Sequence, residues 1–305
     1  MLCPQDTLYP VSMKDREPTI RSRELGEGLR KAMQYAGFNA SEVARQLDWS
    51  PGRVSRLLSG KRGGSRYDVT AFLTICGVRG TERERLMALS LDNDRPGWFQ
   101  QHGPAVPRQV HTLIDHESHA TAISDFQIAL VPGLLQTGHY ARAMMSGSAN
   151  LPAAEIEDRV SARLARKRLF SRNNPPRLDF FVHEFVLRTP VGGPSVMCDQ
   201  LHEMLRLSVL PFVSIRVVPA ALGAHAAMTG NFTMMEIADF KPITYLDSEI
   251  SSLFLETPVE IDAYRNILAA LEDTALDEGT SRNLMGTVAL EFDALREDQD
   301  DLADE

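Results

Sequence analysis

Between residues 20 and 92 the hydrophobic positions recur at helical spacing, and short polar or glycine-containing breaks separate them. Leu25, Leu29 and Met33 stand at i, i+4 and i+8, which predicts a helix with one apolar face, beginning at Ser22 as its N-cap. Four more helices are predicted over about residues 40–47, 51–59, 66–76 and 81–91. Five short helices in one segment indicate a compact all-α domain, which we place at residues 21–93.

The hydrophobic pattern changes after residue 122, where short apolar runs alternate with helical ones. Strands are predicted over about residues 123–131, 178–186, 213–218, 232–237, 243–246 and 253–255. Helices are predicted over about residues 155–170, 195–207, 258–271 and 280–290, with Ser195 as the N-cap of the second. Such interleaving predicts an α/β or α+β domain on one mixed sheet, from residue 123 to residue 290. The chain is therefore expected to be multidomain.

Three segments lie outside these two domains. Residues 1–20 contain prolines and acidic residues without an apolar stretch, so a disordered leader is expected there. Residues 94–122 contain several prolines and glycines followed by a helical pattern, which predicts a linker and a connecting helix. Residues 291–305 are mostly Asp and Glu, and we expect them to fray into solvent as an acidic tail.

Residues 39–61 contain two of the five predicted helices, joined by a tight turn. Asn39 is suited to cap the first of these helices, and Ser50 is suited to cap the second. Pro51 then occupies the first helical position, which its fixed φ angle favours. This order of caps and apolar positions predicts a helix-turn-helix.

The outer face of the second helix carries basic side chains. Arg53 and Arg56 lie one turn apart on this face, and Lys61 and Arg62 follow the helix directly. A short helix with a small and basic leading edge can enter the major groove of DNA while its partner helix crosses the phosphate backbone. The alternative is that the helix pair only packs the domain, but packing gives no reason for four cations together.

The residues Trp49-Ser50-x-x-Arg53-Val54-Ser55-Arg56-x-x-x-Gly60-Lys61 resemble the recognition helix of the Cro/repressor-type helix-turn-helix family, also called the XRE family. The resemblance covers about residues 21–92 and implies a sequence-specific transcriptional regulator that binds double-stranded DNA. The side chains that it places near base edges are Pro51, Gly52, Arg53, Ser55 and Arg56. The side chains that it places near phosphates are Asn39, Ser59, Lys61, Arg62 and Arg66.

The distribution of charge agrees with this interpretation, although the net charge of the chain is -9. Residues 1–80 hold 13 Lys and Arg against 8 Asp and Glu, whereas the remaining residues hold 19 against 33. Positive charge is therefore concentrated where phosphates would be neutralised. One module of this kind buries only about 600–1,000 Å² on DNA, so we expect a homodimer on a pseudo-palindromic operator.

The second domain contains distinctive motifs, among them Val131-Pro-Gly-Leu-Leu-Gln-Thr137, Arg163-x-x-Arg166 and Gly223-Ala-His225. Over about residues 97–285 these motifs resemble the uncharacterised C-terminal domain of actinobacterial regulators described as antitoxin-like. The resemblance implies regulation, and members of that family commonly sit beside genes for small partner proteins. We therefore expect this domain to sense a small protein or a small-molecule effector, which the resemblance does not identify. An antitoxin-like adaptor, which neutralises such a partner and autoregulates its own operon, is the alternative function.

His225 lies in a loop of small residues between two predicted strands, and Met228, Met234 and Met235 are near it in the sequence. These four residues could line an effector pocket, which flexible methionine side chains would make adaptable. The loop could equally well hydrogen-bond only to its own backbone. The sequence leaves both interpretations open.

The sequence gives little support for catalysis. No serine lies in a Gly-x-Ser-x-Gly context, and residues 191–194 lack the Lys-Ser/Thr of a phosphate loop. His111, Asp115 and His119 share one helix face, but a solvated face is favoured over a metal site because no further ligand is evident. We therefore expect no enzymatic activity, no cofactor and no metal.

Cysteine usage and hydropathy restrict where the protein works. Cys3, Cys76 and Cys198 lie far apart without metal-ligand spacing, and their odd number argues against a disulfide framework. The chain has no apolar run of about 18 residues, the length needed for a membrane span. A cytoplasmic protein associated with the nucleoid, without contact to the membrane, is expected.

Overall fold

The computed structural model describes residues 18–61, 64–91, 98–101, 108–238, 240–249 and 251–303. The chain divides into two compact units between Gly97 and Trp98. Within the described residues the first unit is helical, and the second is built on a mixed sheet with helices. The predicted fold class is therefore confirmed. No helix among these residues is both long and apolar enough to span a bilayer.

The first unit consists of short helices that correspond to the predicted ones. Their bounds are α1 Ile20–Tyr35, α2 Ala40–Gln46, α3 Pro51–Leu58, α4 Arg66–Ile75 and α5 Gly80–Leu91. The prediction that Ser22 caps α1 is wrong. Thr19 is the N-cap, and Ser22 completes a capping box in which each side chain accepts the other's backbone N–H. The helix begins earlier because Ile20 is buried and extends the apolar face by one turn.

Close backbone approach fixes α1 against the end of α3. A Cβ at position 26 would lie 2.5 Å from the carbonyl oxygen of Leu58, so only glycine fits there. Gly60 has a positive φ of 71°, and a Cβ on it would lie 2.9 Å from the backbone of Ser22. Arg30 of α1 also donates a hydrogen bond of 2.9 Å to the carbonyl oxygen of Leu58. These contacts position α3 against α1, and the opposite face of α3 is at least partly exposed.

The second unit contains seven strands among its described residues. They are β1 Trp98–Gln101, β2 Ala120–Gln127, β3 Arg177–His183, β4 Val213–Val218, β5 Phe232–Ile237, β6 Ile243–Asp247 and β7 Ser251–Leu255. Their order is β1-β7-β6-β5-β2-β3-β4. The pairs β2–β3 and β3–β4 are parallel, and the other pairs are antiparallel. β1, which pairs with β7, lies within the stretch assigned to the linker in the sequence analysis.

Helices connect and cover these strands. They are α6 Arg108–His119, α7 Gly138–Ser146, α8 Ile156–Ala165, α9 Glu184–Arg188, α10 Pro194–Leu207, α11 Pro258–Thr274 and α12 Glu278–Ala303. On one face of the sheet, Phe126, Phe181 and Phe232 pack with Leu271 of α11. Asp125 leaves the opposite face, because successive residues of a strand alternate between faces. On that opposite face the ring of His116 of α6 packs at a tilt against Phe254.

Several element boundaries differ from the sequence analysis. The predicted strand 123–131 runs from Ala120 to Gln127, and the predicted helix 155–170 ends at Ala165, where a 3-10 helix follows. The predicted strand 178–186 ends at His183, because the His183 Nδ1 atom accepts the backbone N–H of Phe185 and caps α9. Ser195 is not the N-cap of α10, since Gly193 holds that position and Pro194 begins the helix. α12 continues through residues 291–303, which composition assigns to the acidic tail, and Phe292 is buried there.

Candidate nucleic-acid interface

Local interactions build the helix-turn-helix of α2 and α3 as predicted. Asn39 caps α2, where its side chain and that of Glu42 each accept the other's backbone N–H at 3.0 and 2.8 Å. Ser50 caps α3 by accepting the backbone N–H of Arg53 at 3.3 Å, and Pro51 opens the helix. The turn between the helices places Asp48 at a positive φ of 52°. The predicted caps are thus confirmed.

The two faces of α3 differ in burial. Val54, Leu57 and Leu58 are buried in the unit, as the pattern predicted. The other face presents the five side chains named as base-reading candidates. Pro51, Gly52 and Ser55 are exposed, whereas Arg53 and Arg56 are partly exposed. α3 therefore has a small-residue edge with two guanidinium groups, which is the shape and charge that a major groove accepts.

Arg53 has two partners that the sequence analysis missed. Its Nη2 atom lies 2.7 Å from Oδ1 of Asp68, and its guanidinium carbon lies 4.3 Å from the centre of the Trp49 ring. The second carboxylate oxygen of Asp68 accepts the backbone N–H of Ser65, as part of the capping box of α4. Asp68 and Trp49 together hold the Arg53 side chain, which remains 40% exposed. The Ser65-x-x-Asp68 spacing was the available signal for a fixed carboxylate.

Most of the predicted phosphate contacts lie on accessible surface. Asn39, Lys61 and Arg66 are exposed. Ser59 is half-buried, and its hydroxyl donates to the carbonyl oxygen of Arg56 at 3.2 Å. Arg62 lies outside the described residues. Beside Arg66, Tyr67 is 86% exposed and was not among the candidates, although it stands outside the apolar stripe of α4. Its hydroxyl is a further possible donor to a phosphate.

In the second unit, the four residues suggested for an effector pocket do not share one site. Met234 and Met235 are both buried, and as successive residues of β5 they leave opposite faces of the sheet. Met228 is 54% exposed. His225, Met228, Met234 and Met235 therefore do not form one pocket.

His225 stacks on another histidine instead. Its ring lies 5.7 Å from that of His183 and meets the ring of Phe126 edge-on at 5.7 Å. Its Nδ1 atom accepts the backbone N–H of Ala227 at 3.3 Å. Burial, together with the neighbouring His183, lowers the pKa of His225. The loop thus bonds to its own backbone, which was one of the two interpretations, whereas the stacking of His225 on His183 was not predicted.

On the helix face with His111, Asp115 and His119, the His111 side chain lies outside the described part of the structure. Within α6 the His119 Nδ1 atom lies 2.8 Å from the carbonyl oxygen of Asp115, and the buried His116 makes the same kind of contact with Thr112. In the part of the chain that the structure describes, no three His, Cys, Asp or Glu side chains are arranged to hold an ion.

The motif at residues 131–137 forms a loop held by buried polar side chains. Val131 N–H donates to the Tyr140 hydroxyl at 3.1 Å, and the Gln136 amide donates to the Val131 carbonyl at 2.8 Å. Gln200 of α10 accepts the Thr137 N–H at 2.7 Å and donates to the Leu135 carbonyl at 2.9 Å. The loop is consequently fixed from both sides, as buried backbone groups require.

The second motif, Arg163-x-x-Arg166, meets this loop. Arg163 Nη1 donates to the Gln136 side-chain oxygen at 3.0 Å. Arg166 makes a two-pronged ion pair with Glu117 of α6, at 2.9 and 2.5 Å, and both side chains are at most 10% exposed. A Cβ at position 133 would lie 2.9 Å from Arg166 Nη1, so the glycine lets the guanidinium group approach. Two motifs that are apart in the sequence therefore form one cluster.

Burial perturbs the titration of this cluster. Asp125, on the same face of the sheet, is buried, and burial raises its pKa to about 6 even though Gln127 and Arg166 act in the opposite direction. Burial, together with the neighbouring Arg166, lowers the pKa of Arg163 to about 10. The cluster therefore holds ionisable side chains that are shielded from water.

Comparison with protein families agrees with the two-unit architecture. A model described as a helix-turn-helix domain matches residues 24–86. A second model, described as a domain of unknown function (DUF5753), matches residues 110–287. Comparison with curated proteins gives no match. Because the second model spans more than half of the chain, the protein belongs to the family with this domain of unknown function, here preceded by a helix-turn-helix DNA-binding domain.

Proposed function

We propose that the protein is a sequence-specific transcription regulator of the Cro/repressor type, in which α3 enters the major groove of its operator. One observation carries the proposal: the exposed face of α3 combines a small-residue edge with Arg53 and Arg56. Arginine is the commonest side chain to read guanine, through the O6 and N7 atoms. The small residues Gly52 and Ser55 let the helix backbone approach the base edges.

The exposed groups around α3 support a docked position on the phosphate backbone. Lys61 and Arg66 are exposed cations, and Asn39 stands at the N-terminus of α2, where backbone N–H groups favour an anion. The acidic remainder of the chain repels DNA, which restricts contact to the first unit. A homodimer on a pseudo-palindrome would double this small contact area. We further infer that the second unit regulates the first by binding an effector, and that it is not an enzyme.

Salt dependence of DNA binding tests the proposal. Three phosphate-contacting cations per protomer (Lys61, Arg62 and Arg66) give six in a dimer. The logarithm of the binding constant should then fall with the logarithm of salt concentration with a slope of about -5. The measurement is fluorescence anisotropy on duplexes selected from random sequence by the protein itself. Failure to enrich any sequence over the random pool would contradict the proposal.

Asp68 is expected to contribute to specificity through Arg53. In the Asp68→Asn variant the guanidinium group loses its ionic partner but the side chain keeps its size. Specific binding should weaken relative to random duplex by about tenfold, because a correctly oriented bidentate arginine discriminates by about 1–3 kcal/mol. Binding to random duplex should not weaken, since a negative charge near the phosphates is removed. Both affinities are measured in the same salt.

Glu42→Gln is the matched control for this prediction. Glu42 occupies the same capping-box position in α2 that Asp68 occupies in α4, and it belongs to the same unit. Its loss removes the same charge without touching Arg53. If both variants changed the ratio of specific to random binding equally, Asp68 would act only through net charge.

A further inference from the structure

We propose that Arg163 binds the anionic group of a small ligand, a carboxylate or a phosphate, in the second unit. The site lies where the loop 131–137 meets α8. The proposal assigns a ligand class to the effector inferred above, and it rests on that function only for the regulatory consequence of binding.

Arg163 has no carboxylate partner although it is only partly exposed, whereas Arg168, which also makes no ion pair within the described residues, is exposed. The basic residues between positions 156 and 167 are Arg159, Arg163, Arg166 and Lys167. Arg159 pairs with Glu155 at 3.0 Å, Arg166 with Glu117 at 2.5 Å and Lys167 with Glu203 at 2.8 Å. Within the described residues Arg163 makes no ion pair, and its hydrogen bond goes to the neutral amide of Gln136. This cation therefore has no carboxylate within ion-pair distance among the described residues.

The surroundings of Arg163 make it costly for this cation to have no ion-pair partner. Arg166 carries a like charge, and both guanidinium groups lie within 4 Å of the place where a Cβ on Gly133 would stand. Burial and Arg166 together lower the pKa of Arg163, which shows that the environment disfavours its charged form. Asp247, at the end of β6, and Glu117 act in the opposite direction, but Asp247 is exposed and Glu117 is already paired with Arg166. A bound anion would relieve the imbalance directly.

The geometry leaves the useful edge of the guanidinium group available. Nη1 is occupied by Gln136, whose own amide is anchored on the Val131 carbonyl. Nε and Nη2 have no hydrogen-bond partner among the described residues. Neither of these two atoms is fully buried. These two groups form the edge that binds a carboxylate or phosphate through two parallel hydrogen bonds. The side chain is thus fixed before the ligand arrives, which lowers the entropic cost of binding.

Anion titration of the full-length protein tests the site without DNA. Inorganic phosphate and acetate are titrated separately against chloride at constant ionic strength, and thermal unfolding is recorded. At least one of the two anions should stabilise the protein saturably, with a rise in Tm of roughly 3–5 °C at ten times its Kd. The two titrations distinguish a phosphate site from a carboxylate site. If neither anion gives a saturable rise in the wild-type protein, the proposal is wrong.

Two variants and one control assign the effect to Arg163. Arg163→Gln should abolish the anion-dependent rise, and Arg163→Lys, which keeps the charge but loses the fork, should weaken it at least tenfold. Arg206→Gln removes an exposed arginine paired with Glu203 and should leave the effect unchanged. A rise that persists in both Arg163 variants would overturn the proposal. Because no DNA is present, a failure of the DNA-binding proposal leaves this result interpretable.

Discussion

The double variant Arg53→Ala with Arg56→Ala is expected to weaken specific operator binding by on the order of a thousandfold or more. Each guanidinium group that reads a guanine contributes about 1–3 kcal/mol of discrimination, and a dimer loses four of them. Removal of Arg53 also leaves Asp68 without its ionic partner at the DNA-facing surface, which adds repulsion. The affinity for selected and for random duplex is measured by fluorescence anisotropy at several salt concentrations.

A second double variant separates base reading from loss of charge. Arg79→Ala with Arg83→Ala removes two positive charges from the same unit, at the α4–α5 connection and on α5 instead of α3. This control variant should bind the selected and the random duplex more weakly by a similar small factor. The difference should disappear at high salt. The α3 variant should keep its fold, because Arg53 and Asp68 form a partly exposed pair that contributes at most about 1 kcal/mol. Unchanged discrimination in a folded α3 variant would exclude α3 as the reading helix.

Local rules account for the parts of the interface that the sequence predicted well. Asn39, Ser50 and Pro51 each act on backbone groups within three residues, so their roles can be read from neighbouring positions. Val54, Leu57 and Leu58 follow the helical period that separates a buried face from an exposed one. Sequence reasoning therefore places α3 correctly and identifies its outward face before any tertiary contact is known.

Non-local contacts account for what the sequence did not predict. Asp68 meets Arg53 from another helix, fifteen positions along the chain, and no periodic pattern reports that approach. His183 at the end of β3 stacks on His225 in the loop between β4 and β5. The pocket with Met234 and Met235 failed for a simpler reason, because residues adjacent in a strand point to opposite faces. Proximity in the sequence was a poor guide to proximity in the sheet.

The cluster beneath residues 131–137 shows the same limit. Its two motifs are distinctive in the sequence, but nothing in either predicts that Gln136 accepts from Arg163 or that Glu117 of α6 pairs with Arg166. α6 was even considered for metal binding through its histidines, whereas its residue in this cluster is a glutamate. The packing of α6 and α8 on the sheet decides which buried charged side chains pair with each other.

The Glu117–Arg166 pair should show the largest stability effect of any substitution in the second unit. Glu117→Leu leaves the Arg166 guanidinium group buried without its counter-charge, which should lower the free energy of unfolding by about 3–5 kcal/mol. The double variant Glu117→Leu with Arg166→Leu removes both charges and should lie within about 1–2 kcal/mol of the wild-type protein. Urea-induced unfolding of the full-length protein measures both.

Glu157→Leu provides the control for this comparison. Glu157 pairs with Arg142 through the same two-pronged geometry, but both side chains are exposed, so its loss should leave the free energy of unfolding nearly unchanged. If the double variant at positions 117 and 166 is as stable as expected, the fold does not need this ion pair for stability. The ion pair would then serve to place the Arg166 guanidinium group beside Arg163, where the two cations jointly favour a bound anion. A double variant as unstable as Glu117→Leu alone would instead make the pair a structural requirement of the α6–sheet contact.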